Sequence, residues 1–559
     1  MTMTMIMNIN SRILIGLVLV AGLLEAQASG PLRRTRTLPL SDTESVEVQK
    51  VGNAEYSWYE SADGRRWLRD AHTRQFVRWS GEGYNVPSYA YSASGDHGMG
   101  IPGTSGLGVV SSVGEPRIPV IMVAYADLDF QEGTDCTKVS RFLNERGYAD
   151  EALAKGSVAD YFIACSYGKF TPRFDVVAKV TLKNSYKYYG AHQGALNDAH
   201  VTDLVQEAVE QACAQGVDFA PYAVDGTAPI VSIIHAGPGE HEDYGDDCDD
   251  YVWAHFRPMK IPAEGVSFAS YIINNETLRY FKDEVVEMEP MTGIGTFCHE
   301  FGHALGLPDM YDTNGEADGR SDTPGYWDIM DYQFMYDGYR PTSYSAYERS
   351  MLGWLPIRPL TENGAYTLIP LDDMAAEGSL QAVCVVNPQN PSEYFIFENR
   401  RKSDFYASSY LGEGMLVWHI DYSETLWNQN LVNTDATLQH VQVVPADGQW
   451  QSVKDVTLTD DAGKRYTYPG DIFPGYEEVT TFDGGTAKFH FGSLEDAIHD
   501  IKVNDDGTVS FLFSSATGIA NITVESAPHP MIYDIEGRRL KTIPLRGLYI
   551  LDGSLWQSR

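Results

Sequence analysis

The stretch HEFGHALGLPD, residues 299–309, combines side chains and spacings that suit a catalytic metal ion. Residues four apart lie on one face of a helix, so His299 and His303 can both present a ring nitrogen to one ion. Two imidazoles with a glutamate directly after the first are the pattern with which helices bind zinc in metal-dependent hydrolases. The sequence therefore predicts a zinc site on a helix.

A catalytic zinc generally takes three protein ligands and leaves a fourth position for water. Asp309 is the predicted third ligand. Gly306 can adopt the positive φ that ends a helix, and Pro308 cannot rejoin the helical hydrogen-bond ladder. We therefore expect the chain to turn after the helix and to bring Asp309 back towards the metal.

Glu300 is the predicted general base beside the metal. It would hold and deprotonate the zinc-bound water and pass the proton to the leaving amine. The five-residue core HExxH also arises by chance on amphipathic helices, where both histidines would be surface or helix-end residues. The added presence of Gly306 and Asp309 favours the catalytic interpretation.

A second stretch, GYWDIMDY at residues 325–332, resembles the metzincin-type peptidases, in which a turn containing methionine passes beneath the metal site. The resemblance matches Met330 to that methionine. It matches Tyr332 to the tyrosine that stabilises the tetrahedral intermediate in several metzincin groups, where a phenol serves as oxyanion donor. Met330 as a core filler and Tyr332 as an interfacial aromatic are the alternatives, and for Tyr332 both interpretations stay open.

Further segments resemble the immune inhibitor A-like family of secreted bacterial metalloproteases, from about residue 116 to near residue 471. The segments are PRIPVIMVAYADLDF (116–130), GSVADYFIACSYGKFTPRFDVV (156–177), HAGPGEH (235–241), TFCHEFGHALGLPDMYD (296–312) and YSAYERSMLGWL (344–355). The resemblance implies His299, His303 and Asp309 as zinc ligands, Glu300 as general base and Met330 as the turn methionine. Aspartate at position 309 stands where the best-known metzincins often have a third histidine.

Composition narrows the class of protein. At 559 residues with 43% hydrophobic side chains, the chain is long enough for two or three packed domains. Its 77 acidic and 41 basic residues leave a net charge of −36, which repels phosphates and argues against a nucleic-acid partner. Proteins or peptides are the expected partners, as substrates, and the oligomeric state stays open.

The amino end has the order of a secretory signal peptide. Arg12 precedes an apolar run over residues 13–24, and the small residues of Ala26-Gln27-Ala28 follow, with cleavage expected after Ala28. The run is too short for an ordinary membrane span, and no later stretch is long enough. We expect a signal peptide over residues 1–28 and a secreted or outer-surface protein without a membrane span.

Residues 29–112 predict a small β-rich region followed by a Gly/Ser/Pro-rich linker. In a secreted protease this is the natural place for a prodomain. Latency requires a group at the metal's water position, and this region has no cysteine to supply a thiolate. Asp96, His97 or a folded obstruction could serve instead, and a purely structural amino-terminal domain is the alternative.

The remaining pattern predicts a multidomain chain. Residues 113–357 favour an α/β (α+β) layout, interpreted as a metzincin-like zinc peptidase domain, and residues 358–515 favour an all-β sandwich-like domain. In the first region we predict strands at 118–124 and 231–236 and helices at 201–214 and 293–305. In the second we predict strands at 365–371, 394–398, 415–420, 441–444 and 509–513.

A polar cluster is expected in the sandwich. His419 and Asp421 are two apart on one predicted strand and so share a face. With Asn433, His440 and Asp471 they resemble a cluster shared by the immune inhibitor A-like family. Either a second metal site or a hydrogen-bonded structural network fits this pattern, and the network is the favoured interpretation.

Two further groups of residues leave alternatives open. Seven acidic residues within positions 240–250 could bind calcium, but no EF-hand spacing is present and a solvated acidic loop is favoured. Six scattered cysteines are free to form disulfides in an exported protein, with no pairing indicated. Cys298 adjoins the first histidine but points away from it on the helix, so we expect a buried thiol.

The carboxyl end, residues 516–559, resembles the short carboxy-terminal modules of exported proteins from Bacteroidetes-type bacteria. Some of these modules are type IX secretion sorting signals. The alternative is a final β-hairpin with Glu536-Gly537 in its turn.

Together these patterns predict a secreted zinc-dependent endopeptidase that is made as an inactive precursor. Two alternatives remain: a catalytically inactive surface-binding or adhesive protein on a peptidase scaffold, and a zinc amidase that acts on cell-wall peptides. The intact Glu300 and the three predicted ligands argue against the first, because a degenerate site usually loses at least one of them. The second shares the metal chemistry and differs in substrate.

Overall fold

The computed structural model describes most of the chain between residues 35 and 515. The described ranges are 35–41, 44–70, 73–81, 108–150, 154–242, 245, 247–282, 285–314, 319, 321–331, 338–376, 378–403, 405, 411–450 and 468–515, with backbone strands alone between 532 and 558. The predicted signal peptide, Asp96, His97 and Tyr332 lie outside these ranges. Within them no helix combines the length and the apolar character needed to cross a membrane.

The amino-terminal region forms one antiparallel sheet with strand order β1-β2-β3-β4-β5. Its strands are β1 (Arg36–Ser41), β2 (Glu44–Gly52), β3 (Ser57–Glu60), β4 (Arg66–Arg69) and β5 (Phe76–Trp79). Leu38, Val48, Tyr59 and Trp67 form its small buried core. The prediction of a β-rich region is confirmed for these residues.

The central layer is a six-stranded sheet with the order β10-β11-β9-β6-β7 and β8 paired to β11. Its strands are β6 (Arg117–Ala124), β7 (Arg173–Thr181), β8 (Thr227–Ala228), β9 (Val231–Pro238), β10 (His255–Ala263) and β11 (Val266–Thr277). All pairs are parallel except β10 with β11, so β10 is an antiparallel edge strand. A hairpin of β12 (Tyr280–Lys282) and β13 (Val285–Met288) follows. The strands predicted at 118–124 and 231–236 are confirmed as β6 and β9.

Helices connect these strands, as parallel pairing requires. They are α1 (Cys136–Asn144), α2 (Val158–Cys165), α3 (Tyr186–Tyr189), α4 (Val201–Ala214) and α5 (Gly295–Ala304). Short 3₁₀ turns lie at Ala220–Tyr222, Glu240–Glu242, Cys248–Asp250, Gly325–Trp327 and Tyr468–Gly470. The predicted helix at 201–214 is confirmed as α4, and α5 lies within the predicted 293–305.

Every residue of α5 is buried, including both histidines and Glu300. The sequence predicted a helix with an apolar back and a reactive front, and in the structure the front is covered as well. Gly306 follows the helix with φ +102°, as expected for a residue that ends a helix in the left-handed region. Its neighbour Leu307 bonds back to the carbonyl of Gly302. The chain therefore turns directly under the helix.

Met330 lies against the middle of α5. A Cβ atom on Gly302 would be 2.6 Å from Met330 Sδ and 2.7 Å from the hydroxyl of Tyr344. The backbone amide of Met310 donates to the carbonyl of Met330, which ties this turn to the segment after α5. The structure therefore places Met330 beneath the helix that carries both histidines.

The carboxyl-side region is built from two facing sheets. After α6 (Ala346–Met351) the strands are β14 (Arg358–Pro359), β15 (Gly364–Leu368), β16 (Ala382–Val386), β17 (Glu393–Arg400), β18 (Gly414–Asp421), β19 (Val441–Val443), β20 (Ala497–Val503) and β21 (Val509–Ser514), with α7 (Glu424–Asn428) after β18. The sheet orders are β14-β16-β17-β18-β19 and β15-β21-β20. All five strands predicted from the sequence are present.

The five-stranded sheet is buried on both faces. Phe395 and Phe397 of β17 point towards the three-stranded sheet and share its core, whereas Tyr394 and Ile396 belong to the core that also surrounds α5. This alternation follows from the two-residue period of a strand. One sheet is therefore a common layer of the peptidase region and the sandwich, and no gap separates them at the predicted boundary near residue 357.

The carboxyl end forms a further antiparallel sheet, ordered β23-β22-β24-β25. Its strands are β22 (Ile532–Asp534), β23 (Arg539–Leu540), β24 (Gly547–Leu551) and β25 (Ser554–Ser558). The expected hairpin is present between β22 and β23, while its turn lies outside the described residues. A sorting role for this module stays a prediction.

All six cysteines lie in described ranges and none forms a disulfide. Cys298 is completely buried, and burial raises its pKa well above the usual value. It is a buried thiol, as its position on α5 predicts. The fold holds its layers together by packing, without covalent cross-links.

We predict that Gly302→Ala destabilises the protein, because the new methyl group would overlap Met330 and Tyr344. Overpacking a buried position costs ~1–3 kcal/mol. The midpoint of thermal unfolding, measured by calorimetry, should fall. Adding Met330→Ala removes one of the two obstacles, so the double variant should lose less than the sum of the single variants. Additive losses would show that the methyl group and Met330 do not meet.

Candidate functional site

The two histidines of α5 are held by backbone carbonyls. Nδ1 of His299 lies 2.8 Å from the carbonyl oxygen of Ile329, and Nδ1 of His303 lies 2.8 Å from that of Leu307. A carbonyl only accepts, so each Nδ1 carries the proton when the ring is neutral, and each Nε2 presents a lone pair. The turn containing Met330 and the turn after α5 thus set the tautomer of both rings.

Asp309 completes a group of three convergent acceptors. Its Oδ1 lies 3.2 Å from Nε2 of His299 and 3.2 Å from Nε2 of His303. No amide or hydroxyl of the described residues donates to Oδ1, although the atom is buried. When both rings are neutral, three lone pairs therefore face one point, and they repel one another unless a metal ion or a proton lies between them.

The donor chemistry of this group fits zinc. Two imidazole nitrogens and one carboxylate oxygen are a common ligand set of catalytic zinc, which leaves a fourth position open.

Burial alone would lower the pKa of His303 and raise that of Asp309. The attraction between the two groups outweighs burial, so the pKa of His303 rises to about 9 and that of Asp309 falls well below its usual range. The pocket thus favours positive charge at its centre.

Asn430, which the sequence analysis did not identify, holds Asp309 in place. Its Nδ2 donates to Asp309 Oδ2 at 2.6 Å, and its Oδ1 accepts from the Asp309 amide at 2.7 Å. It lies in the loop after α7 with φ 56°, a left-handed conformation that asparagine tolerates better than most residues. It is 121 residues from Asp309 in sequence, and no local motif marks it.

Glu300 lies beside the three acceptors without joining them. Its Oε1 is 4.0 Å from Nε2 of His299, and its carboxylate accepts the backbone amide of Phe256 on β10. Burial raises the pKa of Glu300, although both histidines act in the opposite direction. A carboxylate with a raised pKa that lies beside the three acceptor atoms can take up a proton and release it again.

The space next to this group is small. The cavity measures about 30 Å³, and its volume suffices for one or two water molecules but not for a peptide. Its walls come from several parts of the chain: Asn53, Ala54, Trp253, Ala254, His255, Phe256, Tyr311, Thr313 and Asn430, with the residues described above. The turn between β2 and β3 therefore closes the mouth of the site.

Backbone and amide hydrogen bonds hold this closing turn. Asn53 Nδ2 donates to the carbonyl of Thr313 at 3.0 Å. Asn197 donates its side-chain amide to the carbonyl of Asn53 at 2.9 Å and its backbone amide to the carbonyl of Glu55 at 2.8 Å. The amide of Ser57 donates to the carbonyl of Ala195 at 3.0 Å. These hydrogen bonds attach the turn between β2 and β3 to residues 195–197 and to Thr313.

The acidic stretch 240–250 is buried in much of its described part and is not the solvated loop that the sequence favoured. Lys50 of β2 forms buried ion pairs with Glu240 and Asp249, and Arg74 pairs with Asp250. Burial alone would lower the pKa of Lys50, but the two carboxylates raise it well above its usual value. Cations of the amino-terminal region thus pair with three of the carboxylates considered for calcium, and Arg279 pairs with Asp247. Asp243 and Asp246 lie outside the described residues.

Glu242, in the same stretch, is satisfied by neutral donors. Asn275, Thr292 and Thr296 donate to its two carboxylate oxygens at 2.7–3.0 Å. It is buried behind α5 and binds no cation of the described residues. Its role is to join β11 to the start of α5.

The polar cluster predicted in the sandwich is only partly assembled. His419, Asp421 and His440 come together at one end of β18. Asn433 donates to the carbonyls of Met310 and Val441 and accepts the backbone amide of His440 at 2.9 Å, so it joins the cluster as a hydrogen-bonded structural group. Asp471 instead accepts the indole N–H of Trp327.

Comparison with known proteins covers the same part of the chain. Residues 141–354 match the family model described as Immune inhibitor A peptidase M6, catalytic domain. Immune inhibitor A of Bacillus thuringiensis subsp. alesti is 28% identical over a 273-residue alignment that covers 42% of this chain and 39% of that protein. The Pre-pro-metalloprotease PrtV of Vibrio cholerae serotype O1 (strain M66-2) is 28% identical over 191 residues, covering 30% of this chain and 20% of that protein.

The matched segment contains α5, Asp309 and Met330, so the comparison and the geometry concern the same residues. On both grounds the chain carries the catalytic domain of a metallopeptidase. Over this segment the chain is similar to the immune inhibitor A-like family, as the sequence resemblance predicted. The alignments span well under half the length of either relative.

We predict that Asn430→Asp weakens zinc binding 10- to 100-fold, about the effect of losing a hydrogen-bond partner of a metal ligand. The substitution replaces the amide donor, 2.6 Å from Asp309 Oδ2, with a second negative charge. Aspartate also tolerates the left-handed backbone, so the loop should keep its course. The zinc dissociation constant, measured by competition with a chromophoric chelator, tests this expectation.

Asn428→Asp is the matched control. It makes the same substitution at the last residue of α7, two positions earlier, where the side chain is partly exposed. Its zinc affinity should equal that of the unaltered protein. Equal losses in both variants would mean that the added charge, and not the contact with Asp309, weakens binding.

Proposed function

We propose that this protein is a secreted zinc-dependent endopeptidase that hydrolyses peptide bonds in proteins, with His299, His303 and Asp309 as metal ligands and Glu300 as general base. The observation that carries the proposal is the convergence of three buried acceptor atoms within 4.8 Å of one another, with the carboxylate of Glu300 as a fourth group beside them. A surface-binding protein without catalysis would have no need to keep that fourth group.

Zinc at this position would polarise the scissile carbonyl and lower the pKa of a water molecule. Glu300 would accept the proton from that water and deliver it to the leaving amine. The amide of Phe256 fixes the carboxylate of Glu300 in position for both transfers. The outer edge of β10, which pairs only with β11, offers backbone groups to an extended substrate. Tyr332 remains the proposed oxyanion donor.

The protein described here is proposed to be the latent precursor, with residues 1–28 as signal peptide and 29–112 as prodomain and linker. A cavity of about 30 Å³ leaves no room for a substrate while the turn at Asn53 and Ala54 is in place. Cleavage in the linker would let the amino-terminal sheet leave. The Vibrio relative is named a pre-pro-metalloprotease, which supports the same organisation for this chain.

The proposed domains after the linker are a peptidase region at 113–357, a sandwich at 358–515 and a carboxyl module at 516–559.

An amidase acting on cell-wall peptides would use the same catalytic groups. Incubation of the activated protein with peptidoglycan and with casein, followed by mass spectrometry of the products, separates the two. Release of peptidoglycan fragments alone would replace the endopeptidase assignment.

We predict that Glu300→Gln keeps its zinc and loses activity by a factor of about 10²–10⁴, the usual contribution of a positioned general base. Glutamine matches glutamate in size but cannot accept the proton. Casein hydrolysis by the activated protein, together with metal analysis, measures both properties. His299→Ala is the counterpart that should lose metal and activity together. Undiminished hydrolysis in Glu300→Gln would refute the base assignment.

We predict that Lys50→Met loosens the amino-terminal sheet and raises the casein-cleaving activity of the uncleaved precursor. Methionine keeps the length of lysine but leaves Glu240 and Asp249 as buried carboxylates without this partner. Removing one member of a buried ion pair costs ~3–5 kcal/mol. Initial rates on casein, with the intact chain verified by mass spectrometry, measure the change.

Arg78→Met is the control for this experiment. It removes the same charge from β5, where Arg78 is exposed and stacks on Trp67 of its own sheet. Its precursor should be as inactive as the unaltered one. If Lys50→Met and Arg78→Met precursors are equally inactive, the buried ion pairs do not keep the cleft closed.

A further inference from the structure

A second group of metal-ligand side chains lies in the sandwich, which we name the sandwich cluster: Glu393, His419, Asp421, His440 and His490. Glu393 and Asp421 are directly opposite each other on the antiparallel strands β17 and β18. His419 is two residues before Asp421 on the same face of β18. His490 comes from the loop before β20, and His440 lies directly before β19. Only His419, Asp421 and His440 were foreseen from the sequence.

Three ligand atoms of the cluster, from Glu393, His419 and His490, lie within 4.8 Å of one another, and Asp421 adjoins the third. Glu393 Oε1 is 2.9 Å from His419 Nε2 and 3.9 Å from His490 Nδ1. Asp421 Oδ2 is 2.9 Å from His490 Nδ1. Ligands at 2.0–2.2 Å from a tetrahedral zinc are separated from one another by about 3.3 Å. The corresponding distances around Asp309 are 3.2 Å, so the two groups are similarly compact.

The cluster also brings two carboxylates together, because Glu393 and Asp421 are register partners on neighbouring strands. Two carboxylates directly across a strand pair repel each other.

Two other buried carboxylates, Glu240 and Glu398, have a lysine or arginine partner in Lys50 and Arg400. Within the described residues, the ion-pair partners of Glu393 and Asp421 are histidines only. A cation between the three ligand atoms would be attracted to both carboxylates.

We propose that Glu393, His419 and His490 bind a second zinc ion, distinct from the one at His299 and His303. Nitrogen donors from two imidazoles favour zinc over calcium, which prefers oxygen ligands alone. The ligands come from β17, β18 and a loop that is 97 residues from Glu393 in sequence. A shared ion would therefore fasten that loop to the five-stranded sheet.

Neighbouring residues orient the cluster side chains, and a cavity gives an ion access to them. His440 Nδ1 bonds to the backbone carbonyl of Asp421 at 2.5 Å and holds the end of β18. Asn387 donates to Glu393 Oε2 at 2.7 Å, and the backbone amide of His490 donates to Oε1, which faces the cluster. A cavity of about 390 Å³ opens beside His419 and His490, so an ion can reach the site from solvent.

The test uses the full chain with the first site disabled by His299→Ala and His303→Ala. This parent variant is stripped with a chelator, supplied with zinc chloride, dialysed and analysed for metal. The proposal expects about one zinc per chain and a higher midpoint of thermal unfolding with zinc than without, because a bound ion stabilises the folded state. A parent that retains no zinc would show that the cluster is a hydrogen-bonded network only.

Substitutions within the cluster locate the ion. His419→Gln and Glu393→Gln, each added to the parent, should lower retained zinc at least 10-fold and abolish the zinc-dependent rise of the unfolding midpoint. His499→Gln is the matched control, because His499 lies on β20 and bonds to Ser514 instead. Retention of zinc in both cluster variants would overturn the proposal, as would uptake of calcium in place of zinc by the parent. The parent measurement requires no change in the cluster and therefore does not depend on the folding of these variants.

Discussion

The mutual repulsion of three acceptor atoms is the constraint on which the rest of the peptidase region depends. Nε2 of His299, Nε2 of His303 and Oδ1 of Asp309 face one point at hydrogen-bond distances, and the carbonyls that fix the two ring tautomers leave a neutral ring with no N–H to donate there. A cation at that point turns repulsion into attraction. The buried helix, the glycine that lets Met330 approach it and the turn after the helix all hold these atoms in place.

The proposed metal site is not completed within the family-matched segment alone. Asn430 holds Asp309 from a loop that follows the five-stranded sheet, and this sheet shares one face with the core around α5. A sheet that is buried on both faces holds the segments packed on it in fixed positions, because side chains packed at interior density cannot shift independently. The sandwich is therefore part of the structure that orients the metal ligands, and its own cluster of histidines and carboxylates is built on the opposite face of the same sheet.

Ion pairs hold the amino-terminal sheet against the acidic stretch beside the site. The acidic stretch beside the site would repel itself if it were left unpaired, and the amino-terminal sheet supplies Lys50 and Arg74 to it while its turn fills the space next to the metal ligands. Buried ion pairs of this kind give little net stability compared with apolar packing, but they specify one docking geometry. Such an interface suits a segment that must bind in one way and later leave.

The sequence by itself determined the features that depend on local spacing. The four-residue interval of His299 and His303, the glycine at 306 and the alternation of the later strands predicted the helix, the turn and the sheets, because helix and strand periods are properties of neighbouring residues. Only the tertiary structure decided which distant groups meet: Asn430 at Asp309, Lys50 at Glu240, and Glu393 with His490 beside His419. These contacts join residues far apart in the chain, and they follow from how whole layers pack, which no local pattern encodes.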